Sequence, residues 1–106
     1  MKTSELTGAA LDWAVAKAEG HDVDDPTWWP DFGGESCYST DWSEGGPIIE
    51  RECIELVLDG WGAWNAAIRG GDKDDLAHGP TPLIAAMRCY VASKLGDEVE
   101  VPEELQ

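Results

Sequence analysis

The stretch Cys53-Ile54-Glu55-Leu56-Val57-Leu58-Asp59-Gly60-Trp61-Gly62-Ala63-Trp64-Asn65-Ala66-Ala67-Ile68 decides the fold. Ile54, Leu56 and Leu58 alternate with Glu55 and Val57, which is the period of a strand. Asp59-Gly60 follows, a dipeptide that suits a tight hairpin turn because both residues tolerate positive φ. Trp61 to Ile68 would then return as the partner strand. A competing reading runs one helix through Trp61, Trp64, Ala67 and Ile68. Gly60 and Gly62 weigh against it, since each weakens a helix by up to about 1 kcal/mol.

Helices are expected on either side of this hairpin. Over residues 4–19, Leu6, Ala10, Trp13 and Ala14 share one face, Thr3 or Ser4 can cap the start, and Gly20 sits where a helix end needs glycine. Trp13 reads as the core anchor of that helix. The clearest helix runs from Pro82 to Leu95, capped by Thr81 and ended by Gly96, with Leu83, Met87, Tyr90, Val91 and Leu95 as its apolar stripe. A shorter one is expected from Pro47 to about Glu52. Gly70 to Asp75 reads as a polar loop. Residues 20–37, with Trp28 and Trp29, read mostly as loop with a short extended piece near Val23. The end, 97–106, would add an edge strand or trail as an acidic tail. The expected fold is thus α+β, one domain over 1–106, with two main helices on a small antiparallel sheet.

Two segments share a plan: Ser43 to Arg51 and His78 to Arg88. Each runs from glycine and proline into an aliphatic pair, with an arginine shortly after. Proline at a first helical position has the φ a helix start needs, and such a start directs free N–H groups and the positive dipole end outward. In the second segment Thr81 would offer its hydroxyl, Leu83 and Ile84 their N–H groups, and Arg88 a charge for a neighbouring anion. In the first, Thr40, Asp41 and Trp42 lead into Gly45-Gly46, with Arg51 beyond. An indole for a ring, a carboxylate for a ribose hydroxyl or amine, glycines for close approach and an arginine for phosphate are what a small-ligand pocket needs. The plain alternative is a helix cap with a surface arginine in one case, and a packed turn in the other. Under the pocket reading, Arg88→Ala would leave the thermal midpoint nearly unchanged.

Composition limits the chemistry. Seven basic against 22 acidic residues give a formal charge of −15, which repels nucleic acid and anionic membranes. Hydrophobic content of 42% and six tryptophans argue against the disorder such a charge invites. The N-terminus lacks an apolar signal segment, and no run approaches the roughly 18 apolar residues of a membrane span. A cytoplasmic location is therefore expected, with Cys37, Cys53 and Cys89 as reduced thiols. His21 and His78 show no ligand spacing to any cysteine, so neither metal nor cofactor is expected. No local sequence supports a catalytic Cys–His pair, and a non-enzymatic role is expected.

Several segments resemble the NinX-like proteins of temperate phages and prophages. They are Lys2 to Gly8 with Ala10 to Ala16, Tyr38 to Glu52, and Gly79 to Leu105. The most specific are Ser39-Thr40-Asp41-Trp42, Gly45-Gly46-Pro47-Ile48-Ile49-Glu50 and Gly79-Pro80-Thr81-Pro82-Leu83-Ile84-Ala85-Ala86. The resemblance is poorest from Val23 to Cys37. It implies a phage accessory protein made inside a bacterial cell, and it implies no reaction. Two functions from different classes follow. One is capture of a small phosphorylated or nucleotide-like ligand, in a phage context a host immune signal, with oligomerisation as a way to concentrate Arg51 and Arg88. The other is an acidic inhibitor or DNA mimic that binds a host nucleic-acid enzyme, supported by the net charge.

Overall fold

The computed structural model describes residues 2–20, 37–70 and 73–103. The hairpin reading holds. β1 (Glu55–Leu58) pairs antiparallel with β2 (Trp64–Gly70), from Glu55↔Ala67 to Leu58↔Trp64. Its turn is longer than the expected Asp59-Gly60 pair. Asp59 N donates to Ala63 O, while the Asp59 carboxylate accepts from Trp61 N at 2.7 Å and Ala63 N at 3.1 Å. One side chain therefore organises a five-residue loop, and Trp61 stands at its tip, 95% exposed, instead of opening the return strand.

A third strand replaces part of the expected polar loop at Gly70–Asp75. β3 (Lys73–Gly79) pairs with β2 from Trp64↔Gly79 to Gly70↔Lys73, giving the sheet order β1-β2-β3. Nothing in the acidic start of that segment alternates. Its strand state comes from the ladder offered by β2 and from the helix that covers it. Leu56, Ala66 and Ala77 stand abreast on the inner face, and Trp64 and Ile68 join them against the core. Val57 and Leu76 lie on the outer face, both exposed.

α3 (Pro82–Leu95) has the bounds and the Thr81 cap that the sequence predicts, and it lies across β2 and β3. Its burial exceeds the expected stripe. Leu83, Met87, Tyr90 and Val91 are buried, and so are Ala85, Ala86 and Cys89, because α1 packs on another side of the same helix. Among the described residues no helix is long and apolar enough to cross a membrane.

The expected helix over 4–19 is two pieces. A 3-10 turn, Thr3–Glu5, is followed by α1 (Gly8–Ala18), with extended Leu6 and Thr7 between them. Thr3 is buried and does not cap α1; its Oγ1 donates to Gly96 O at 2.7 Å, and its N–H to Asp97 O at 2.8 Å. The end of the chain is neither an edge strand nor a trailing tail as far as Glu103. It makes a single antiparallel bridge, Lys2 with Glu98, and then buries Val99 and Val101 in the core. The extended piece near Val23 and the Trp28-Trp29 loop lie outside the described residues.

α2 (Trp42–Glu52) begins five residues before the expected start at Pro47. Asp41 caps it, accepting from both Ser43 N and Ser43 Oγ, and Pro47 lies inside, where it forgoes the ladder bond to Ser43 O. At the other end Cys53 N donates to Glu50 O and Ile54 N to Ile49 O, with Cys53 at φ 54°. That is the double-bonded helix stop in which glycine usually occupies the left-handed position. Burial of Ile54 beside Ile49 accompanies it.

Between α1 and α2 lies a buried polar pair. The Asp12 carboxylate accepts from Ser39 N at 2.8 Å, and the buried Ser39 Oγ has no hydrogen-bond partner among the described residues. Burial pushes the Asp12 carboxyl above its usual value of 3.8, against the opposing effect of the Ser39 N–H bond. The native state thus keeps this proton to a higher pH than the unfolded chain does. The stability it contributes is complete below 3.8 and is lost as pH rises through the native value. Asp12→Asn removes the titration, keeps an oxygen for Ser39 N and brings a donor for Ser39 Oγ. It should melt above the wild type at about pH 7, with the difference shrinking or reversing near about pH 3.5. Paired thermal melts across that range check it, and equal midpoints at neutral pH would refute the cost assigned to the buried charge.

Candidate functional site

The residues of the first segment are largely occupied with structure. Asp41 serves as the α2 cap, and the Ser43 bonds hold its carboxyl below the usual range. Thr40 is exposed, and its N–H donates to Cys37 O. Trp42, 54% exposed, sits in the first turn of α2 with Gly46 3.9 Å from its ring, measured from the place a Cβ would take. A Cβ on Gly45 would lie 2.5 Å from Tyr38 O and 2.6 Å from Leu83 Cδ1. The two segments do meet, therefore, but Gly45 and Leu83 meet in dry packing.

Arg51 joins three helices. Its guanidinium forms a fork with the Glu19 carboxylate at 3.1 and 2.8 Å, donates to Glu52 at 3.0 Å and reaches Tyr90 Oη at 3.1 Å. Tyr90 in turn donates to Glu19 at 2.7 Å. The Glu19 and Glu52 bonds raise the arginine's pKa, and burial together with Glu19 raises that of Tyr90. Two carboxylates already balance the charge assigned to a phosphate.

Arg88 is placed differently. Its Nε donates to Leu6 O at 2.8 Å and its Nη1 to His78 O at 2.9 Å, so it ties the chain before α1 to the end of β3. Burial lowers its pKa, and among the described residues no carboxylate pairs with it. Tyr90, which carries Arg51, is two residues farther along α3, about 200° around the helix. The two arginines therefore stand on opposite sides of α3 and do not converge. At the start of α3, Thr81 Oγ1 accepts from Ile84 N at 3.1 Å, so one of the two expected free donors is already bonded.

What Arg88 does line is a cavity of about 340 Å³. Its walls are residues 2–4, residues 76–78 of β3, Arg88 and Ala92 of α3, and Asp97 with Glu98. Thr3 makes this site, by clasping Gly96 and Asp97 and so laying the first residues beside the chain that leaves α3. Of the residues expected to bind, only Arg88 is there. Lys2, His78, Asp97 and Glu98 carried no local signal, because their proximity depends on β3 existing and on segments more than ninety residues apart touching. Among the described residues no group of three or more His, Cys, Asp or Glu side chains could hold a metal. Cys37 and Cys53 are exposed, Cys89 is buried, and none of the three is in a disulfide.

No curated protein matches this sequence. The profile of the bacteriophage P22 NinX family matches residues 2–94, which takes in α1, α2, α3 except Leu95, the sheet, and most of the cavity wall. With nearly the full chain aligned to it, this protein belongs to the bacteriophage P22 NinX family.

Proposed function

We propose that this phage accessory protein acts by binding and not by catalysis, and that it holds a small phosphorylated or nucleotide-like ligand in the cavity beside Arg88. The observation that supports this is a partly buried guanidinium whose described partners are two carbonyl oxygens and no carboxylate. Desolvated cations seek an anion, and a phosphate at this wall would gain charge-assisted bonds from Arg88 and Lys2. In a phage-infected cell, such capture would sequester a phosphorylated host signal.

Thermal shift tests the reading. Ligand at a hundred times its Kd adds about 2.7 kcal/mol, and for a domain of this size that raises the midpoint by roughly 10 °C. Phosphate, nucleotides and cyclic nucleotides are the panel. The shift should be mostly lost in Lys2→Ala and kept in Lys94→Ala, whose ammonium faces Glu52 instead. A panel without any shift would overturn the proposal.

A further inference from the structure

We infer that the cavity takes a nucleoside monophosphate, or a phosphorylated ring compound of that size, in preference to bare phosphate or a dinucleotide. This narrows the anion-binding reading above and rests on it. Three observations lead there. First, the charges on the wall are mixed: Lys2 and Arg88 are cations, Asp97 and Glu98 anions. The two cations match the charge of one phosphate, while a second phosphate would face the carboxylates. Ionised carboxylates only accept hydrogen bonds, so the same ligand must also carry donors, as ribose hydroxyls or an exocyclic amine do.

Second, the volume of about 340 Å³ stands at the lower end of the range for small-molecule sites, roughly 300–1,000 Å³. One ring and one phosphate suit it; two nucleotides do not. Third, part of the wall is apolar. Ala77, on the inner face of β3, and Ala92 of α3 offer a surface that a bare phosphate would leave wet. A base or sugar ring laid there would remove apolar area from water while its phosphate stayed on Arg88.

Titration calorimetry on the full chain tests this with AMP, GMP, CMP and UMP, each beside its nucleoside, and with inorganic phosphate and cyclic di-AMP. At least one monophosphate should bind about tenfold or more tighter than its nucleoside and than phosphate, the loss of one charge-assisted contact. Glu98→Gln should weaken that nucleotide severalfold and tighten phosphate, because a repulsive charge disappears while a donor partner is lost. Cyclic di-AMP should give no binding heat. Phosphate or cyclic di-AMP binding as tightly as every monophosphate would overturn the ligand class and leave the anion site standing. Silence from every probe would overturn both.

Discussion

Gly79→Ala should lower the thermal midpoint by about 12 °C. A Cβ there would lie 2.6 Å from Ala85 N, 3.0 Å from Ala85 Cα and 3.1 Å from Ile84 Cγ2. The first two are backbone atoms in the opening turns of α3, so no side-chain rotation can relieve the clash. Either β3 or α3 must move, and α3 packs more extensively on β3 than on any other element. That places the cost near the upper end of ordinary overpacking, about 3 kcal/mol. At roughly 4 °C per kcal/mol for a chain of this length, the shift follows. Gly60→Ala is the control: its Cβ would meet nothing within 4 Å, and its midpoint should stay close to that of the wild type. A Gly79→Ala protein that melts within a few degrees of the wild type would mean that β3 and α3 do not approach this closely.

Arg88→Ala should cost about 2–3 kcal/mol, or roughly 8–12 °C, even without any ligand. This corrects the expectation of an unchanged midpoint, which treated Arg88 as a ligand contact with no part in holding the fold. The guanidinium bridges Leu6 O and His78 O, and Leu6 is fully buried, so truncation leaves a carbonyl in the interior without its donor. Arg88→Lys should recover less than half of the loss, since one ammonium cannot present two donors in the fork that spans both carbonyls. A midpoint within about 2 °C of the wild type for Arg88→Ala would refute the bridging role. Its structural role is also why Lys2 and Glu98, and not Arg88, are the residues on which to test binding.

Sequence reading located the hairpin and α3 because their signals are local. Alternation at 54–58 and the Asp59 turn chemistry act within a few residues, as do the Thr81 cap and the Gly96 stop. It misplaced the start of α2 for an equally local reason: Asp41 and Pro47 both announce a helix start, and a carboxylate that bonds two groups of Ser43 outweighs a proline that merely tolerates the first turn. β3 was illegible because its acidic residues prefer no strand and its pairing is supplied by β2. The paired glycine-proline segments were read as a ligand cradle, yet Gly45 and Gly79 each face a neighbouring element too closely for a Cβ. Glycine written for close packing and glycine written for a ligand look the same in one dimension.

By itself, then, the sequence determined the α+β class, the hairpin, the bounds of α3 and the kinship with NinX proteins, all carried by residues near one another in the chain. Only the tertiary structure decided where the charges went. Arg51 and Arg88 look equivalent by position, but one meets two carboxylates and a tyrosine on one side of α3, and the other meets two carbonyls and a cavity on the other side. The reason is that the partners of a long side chain are set by which distant segments the folded core brings within its reach.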